Sequence, residues 1–185
     1  MTTVTSRSNI STPASAFMVA DLLAFNLAII EQAEQVISVL QSTGNLDRYG
    51  EYVGPHLRHI LEHYEALLLM QKKNRNVVNY DERERDRSLE NEPKYMLSRL
   101  QSLTNAIKDW DSHNVSQPIA VCLKGGLSGE LEFITNSTLG RELMFLASHA
   151  VHHFALVQVW CLQHGIRLSA DFGKAPATVA YEQDR

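Results

Sequence analysis

Two stretches near the ends of this chain carry apolar residues at helical spacing, and they set the frame for everything between them. From about Ala16 to Ser42, residues Leu22, Leu23, Leu27, Ile30, Ala33, Ile37 and Leu40 recur every three or four positions, which gathers them on one side of an α-helix. From about Thr138 to His164, residues Leu139, Leu143, Leu146, Ala150, Val157 and Trp160 form a second such stripe. Gly44-Asn45 closes the first helix and Gly165 the last, because glycine readily takes the left-handed conformation that ends a helix. A helix with one apolar stripe needs a partner to bury it, and the interior of the chain supplies two. One opens at Gly54-Pro55, where proline suits a first turn, and runs to about Lys73. The other runs from Pro93 to Asp109 with Met96, Leu97, Leu100, Leu103 and Ile107 inward.

Between the third and fourth helices the period drops to two. Ile119, Val121 and Leu123 alternate with other residues, Lys124 to Gly129 turns, and Leu131 and Phe133 alternate with Glu130 and Glu132. That pattern predicts a β-hairpin, which must lean on the helices because two strands alone are marginal. The charged stretch Asn74–Glu92 is expected to connect helices two and three as a loop with some helical turns. The fold class that follows is all-α, a four-helix bundle with a small β-hairpin between helices three and four. Residues 1–15 read as a flexible tail, 16–165 as the bundle, and 166–185 as a tail that wraps the surface.

At 185 residues the chain suits one domain with its own core. Its net charge of −4, with basic residues dispersed, argues against a nucleic-acid surface. No uninterrupted apolar run reaches about 18 residues, so no membrane span is expected. The polar start lacks the apolar core of a secretory signal. Cys122 and Cys161 are the only cysteines, too few for a disulfide framework or a thiolate metal site, and the expected compartment is a reducing cytoplasm.

Six of the eight histidines fall into two short clusters, Gly-Pro-His56-Leu-Arg-His59-Ile-Leu-Glu-His63 and Ser-His149-Ala-Val-His152-His153. His59/His63 and His149/His153 are i, i+4 pairs, so on a helix each pair presents two imidazoles on one face. Neutral imidazole is the commonest protein ligand for transition metals. In the last helix His149 and His153 fall within the apolar stripe and His152 lies to one side. In the second helix the stripe is Leu57, Ile60, Leu61, Tyr64 and Leu68. There periodicity favours His63 or His56 on its flank as the third ligand, not His59, which lies further round beside Ala66 and Met70. No His-Glu-x-x-His or Glu-x-x-His motif occurs, which removes the thermolysin and di-iron patterns. Ordinary hydrogen-bonded histidines with no ion are the plainer alternative.

With those motifs in place the chain resembles the DinB-like superfamily from about Ala16 to Gly165. The resemblance rests on His59-Ile-Leu-Glu-His63 in helix two, His149-Ala-Val-His152-His153 in helix four, the hairpin, and the lead-in Ser137-Thr-Leu-Gly-Arg141-Glu142. It implies an up-down-down-up four-helix bundle holding a divalent ion, zinc or nickel, through His59, His149 and His153, with His63 in reserve. It also implies a homodimer and a metal-dependent transferase or hydrolase. The substrate would be a small molecule, with a low-molecular-weight thiol or water activated at the ion. His63, His152, Tyr80, Asp81 and Arg83 are the candidates for the surrounding and substrate-binding positions, and Arg141 is a weaker anion contact. A non-catalytic, stress-related bundle whose metal is structural, or which serves in dimerisation, is the rival. Cys161, Trp110 and Trp160 read as packing residues, and His113 and His164 as exposed.

Overall fold

The computed structural model describes residues 14–73, 75–110 and 115–185, with side chains from residue 19 onward. Among these the chain is helix-dominated with one small three-stranded sheet. The expected tail at 1–15 lies almost wholly outside the described residues, as does His113. Helix α1 spans Ala14–Ser42, a 3₁₀ turn Leu46–Glu51, α2 Val53–Lys72 and strand β1 Val77–Asn79. Then come α3 at Ser88–Asn91, α4 at Pro93–Lys108, β2 at Pro118–Gly125, β3 at Leu131–Thr138, α5 at Leu139–Gln163 and α6 at Pro176–Gln183.

The four long helices share one core. Helix α1 packs on α4 and α5, and α2 packs on the same two. Ile30, Ile37 and Leu40 of α1, Leu57, Leu61 and Tyr64 of α2, Leu100 and Ile107 of α4, and Leu143, Leu146 and Phe154 of α5 are essentially inaccessible to solvent. The predicted helix ends are built as expected. Beyond α1, Gly44 takes φ +72° and Asn45 N–H donates to the Leu40 carbonyl at 2.8 Å. Beyond α5, Gly165 takes the same φ and Ile166 N–H donates to the Cys161 carbonyl at 2.8 Å. Both reach back across the last turn to satisfy carbonyls that the helix leaves unpaired.

Two elements depart from the sequence expectation. The hairpin forms, pairing Ile119 with Ser137 and Leu123 with Phe133, but it is joined by β1, parallel to β2 with Val78 opposite Val121. That third strand comes from the stretch expected to be a loop; its three residues are too few to show a period. Thr138 ends β3 and caps α5, its hydroxyl accepting from Arg141 N at 3.2 Å. The C-terminal tail lies against α5 and contains a helix that the sequence reading did not expect. Phe172 is buried against Phe154, the ring centroids 5.1 Å apart, and the chain then forms α6. At Gly173 (φ +68°) a Cβ would stand 2.6 Å from the backbone of Phe154 and Ala155, so only glycine lets the tail lie this close to α5.

By length and composition, Val19–Ser42 and Leu139–Gln163 are each apolar enough to cross a membrane, at mean hydropathy 1.3 with 33% of the apolar window buried. Counting uninterrupted apolar runs missed this, because scattered polar residues break a run without lowering the average much. Some of those polar residues are in the core. Asn26 is fully buried and accepts from Tyr64 OH at 2.7 Å while donating to the Leu22 carbonyl.

Candidate metal centre

Helices α2 and α5 meet along their length, and the imidazoles line one flank of that contact. His59, His149 and His153 each offer a ring nitrogen, and these atoms all lie within 4.8 Å of one another. His59 Nε2 and His149 Nε2 are 2.9 Å apart. Two more rings close around them. His56 Nδ1 lies 2.7 Å from His153 Nδ1. The His63 ring is edge-on to His59 at 4.3 Å, and its Nδ1 donates to the His59 carbonyl at 2.6 Å. His152 stays exposed, its ring centroid 5.7 Å from that of His153.

On the second helix it is His59 that lies within reach of both His149 and His153, the position the family resemblance implies and periodicity disfavours. The physical reason is that apolar spacing reports the direction of the core. The histidines face a partly buried cleft beside the core, so the ligand face and the core stripe of α2 are offset. The same applies to α5, where His149 and His153 are half-buried on the flank of the stripe rather than inside it.

All five rings resist protonation. Burial, followed by the neighbouring His63, His153, Arg83 and His149, pushes His59 down to about 2. Burial and the rings of His149, His56, His152 and His63 push His153 to about 3. For His63 burial outweighs its bond to the His59 carbonyl and leaves it at about 4. His149 and His56 are lowered too, again chiefly by burial. Near neutral pH the cluster is thus a set of uncharged rings with available lone pairs. Two neutral nitrogens at 2.7–2.9 Å need one donor and one acceptor, whereas a shared cation lets both act as donors of electron pairs. A tetrahedral ion with ~2.0–2.1 Å bonds to nitrogen spaces its ligand atoms roughly 3.4 Å apart, within the span seen here. The donor set fits a divalent ion that accepts imidazole, zinc and nickel among them.

The loop after β1 is clipped over this cleft. Tyr80 is buried, packs its ring 5.5 Å from His63 and donates its hydroxyl to Glu142 Oε2 at 2.9 Å. Asp86 N donates to Glu62 Oε1 at 2.7 Å, and Glu62 is paired with Arg58 at 2.9 Å. Between these anchors Arg83 points at the cluster, with Nη1 at 2.5 and 2.6 Å from the His63 ring nitrogens and 3.5 Å from His59 Nδ1. Arg83 Nε is buried and has no hydrogen-bond partner. The guanidinium also borders a cavity of about 330 Å³, walled by Glu62, Glu82, Glu84, Ala66 and Arg99.

Of the residues expected at the mouth, Arg83 alone reaches the cluster with a charge. Tyr80 is buried under His63 rather than open to a ligand. Asp81 faces away and accepts from Lys124 N at 2.6 Å, stitching the loop to the hairpin. Exposed Arg141, the weaker anion-contact candidate, pairs instead with the buried carboxylate of Glu142 at 3.0 Å, and Cys161 is buried packing. Two features went unseen in the sequence. Glu142, fully buried, also accepts from Ser137 Oγ at 2.5 Å. Tyr52 stacks on Trp160 at 5.9 Å and touches His56 at 4.5 Å, forming an aromatic wall beside His153. Both depend on partners tens of residues apart, which no local spacing records.

No family model matches the chain, and no solved structure matches it. Among curated proteins it is similar to "FK506-binding protein 5" of Rhizopus delemar, with 28% identity over 105 residues, 57% of this chain and 27% of that protein. The chain therefore spans about a quarter of that relative's length.

Proposed function

We propose that the chain is a DinB-like metal-dependent enzyme, its four long helices forming an up-down-down-up bundle around a divalent centre. In this reading it is a cytoplasmic thiol-dependent transferase or hydrolase. The observation that carries it is the approach of His59, His149 and His153, three uncharged imidazoles from two helices, to within 4.8 Å. Bound there, zinc or nickel would supply Lewis acidity that lowers the pKa of a thiol or water in a position the three rings leave open.

The chain's own groups do the rest. His63, donating to the His59 carbonyl, fixes the backbone of the ligand turn, and Tyr80 packs beneath His63. Three neutral rings leave the charge of a divalent ion uncompensated, and Arg83 adds a further positive charge. The centre therefore favours an anionic group such as a thiolate. Arg83 has only neutral imidazole nitrogens as acceptors in this arrangement, so a carboxylate on the incoming thiol would give it the partner it lacks. The adjoining cavity of about 330 Å³ has room for such a molecule's remainder.

The test is metal analysis of protein prepared without a histidine tag, followed by thermal shift with glutathione and other low-molecular-weight thiols. About one ion per chain and a metal-dependent shift with at least one carboxylate-bearing thiol are expected. Absence of bound ion sinks the reading. A second reading has its own support: His56 and His63 flank the three rings, and either one turned inward onto the ion would close its coordination, giving a structural ion without catalysis. Ion retained with His56→Ala and His63→Ala, and water-exchangeable, favours the enzyme; ion lost with either favours the structural role.

A further inference from the structure

Helices α1 and α5 meet along stretches that are nearly free of charge. Between residues 19 and 30 of α1, Asp21 is the single charged residue, and from Leu143 to Ile166 there is no Asp, Glu, Lys or Arg. On α5 the side chains of Met144, Ser148 and Val151 fall together, roughly 150° round the helix from His149 and His153 at ~100° per residue. The side of α5 turned away from the metal centre therefore has a surface of its own.

That surface walls a cavity of about 530 Å³, completed by Leu22 and Phe25 of α1 and by Ala175 and Pro176, with Asp21 in its lining. A second cavity, of about 340 Å³, shares Phe25, Val151 and Pro176 with the first and lies between Ile29 of α1 and Val179 of α6. Together they form one cleft that passes beneath the start of α6. The tail is fixed to both helices before it crosses. Gly173 presses on the backbone of α5, and its N–H donates to Gln32 Oε1 of α1 at 3.1 Å. No residue of α6 is buried, so this helix roofs the cleft without filling it. An apolar space of this size with a convergent polar group suits a small molecule, and walls fixed in advance lower the cost of ordering it.

Charge selects the kind of molecule. The cleft is lined by two carboxylates, Asp21 and Asp171, and by one cation, Lys174. Lys174 is already engaged, by Glu182 at 2.5 Å and by Asp171 at 3.7 Å. Among the described residues Asp21 has no ion-pair partner. An anionic head group would meet only a spoken-for lysine, whereas a positive one meets Asp21 at the rim, beside the ring of Phe25. We propose that the cleft between α1, α5 and the start of α6 is a binding site for an amphiphilic cation, an aliphatic chain ending in an ammonium group. The chain lies along the apolar floor and the head group sits at Asp21. This site stands apart from the reading of the metal centre, on the opposite side of α5.

Isothermal titration calorimetry of the full chain, with EDTA and again with added zinc, tests it. The probes are decyltrimethylammonium, uncharged 1,2-decanediol and decanoate. A quaternary ammonium cannot ligate a metal, so the two metal conditions should agree for the cation. It should bind saturably with a dissociation constant on the order of 100 µM. Affinity should rise at least ~2-fold per methylene from the octyl to the decyl homologue. The diol should bind about 3–5-fold more weakly, the scale of an exposed charge pair, and decanoate more weakly still. Asp21→Asn should remove the preference for cation over diol and leave the diol unchanged. Ala175→Phe, at an exposed position of the wall, should weaken both by about 10-fold or more while leaving the circular dichroism unchanged. Absence of saturable cation binding below ~1 mM overturns the inference. So does decanoate binding as tightly as the cation, a cation preference that survives Asp21→Asn, or binding indifferent to Ala175→Phe.

Discussion

Helix α5 carries two polar clusters two turns apart, and they are built on opposite principles. At Glu142 each acceptor is matched by a donor: Tyr80 on Oε2, with Ser137 and Arg141 on Oε1. At His149 the nearest polar atoms are other imidazole nitrogens, beside a guanidinium that has only donors to offer. The first cluster is complete without any visitor, as a fully buried carboxylate must be. The second has electron pairs in excess of protons to share, which is tolerable in a half-buried cleft and useful if a cation arrives. Balance marks a structural joint; imbalance marks a site.

The largest effect should come from the balanced cluster. Glu142→Leu strands the hydroxyls of Tyr80 and Ser137, and should cost about 3–5 kcal/mol of stability, read by urea denaturation. A loss under 1 kcal/mol would show that the joint carries no weight. His149→Ala should do the converse. It should abolish stoichiometric metal, weakening affinity by more than the roughly 10–100-fold typical of an outer partner, while the metal-free protein unfolds at nearly the wild-type urea concentration. If the metal-free variant is strongly destabilised, the two clusters are not different in kind.

Acid sharpens the contrast further. A histidine that binds protons less readily when folded than at its ordinary value penalises the folded chain once the unfolded chain begins to protonate. Metal-free protein should therefore hold constant stability above pH ~7. It should then lose stability as pH falls from 6.5 through the region near 4 where His63 sits, and on toward the lower values of His153 and His59. Replacing His59 with Gln should flatten that slope between pH 6.5 and 4.5; an unchanged slope would place the acid sensitivity elsewhere. The smallest effect is expected for Arg83→Met. Stability should move by less than ~1 kcal/mol, and binding of a carboxylate-bearing thiol should weaken about 10-fold, or ~1.4 kcal/mol. Equal weakening for a thiol without a carboxylate would remove Arg83 from substrate recognition.

What could be read from the chain tracks how local each feature is. The long helices, their glycine-closed ends and the hairpin are repeated short-range patterns, and each is present within a few residues of its expected place. The pair His149 and His153 is local too, since one turn of helix suffices to define it. The third imidazole is not. Choosing His59 over His63 requires knowing how α2 is rotated against α5, and apolar spacing measures rotation toward the core alone. The joint at Glu142 was hidden for the same reason, its partner Tyr80 lying 62 residues away. Strand β1 and helix α6 escaped because three and eight residues hold too little pattern to separate them from loop.

The segment from Tyr80 to Asp86 is fastened at one end to α5, through Glu142, and at the other to α2, through Glu62. Those are the two helices that contribute the imidazoles. A short covalent tether thus spans the gap across which an ion would be gripped, and from within it Arg83 reaches the His59 ring at 3.5 Å. It behaves as a calliper set in advance: the jaws keep their separation whether or not anything lies between them. Little of the binding energy of a cation would then be spent on drawing the helices together, and the entering ion would find its ligands already waiting.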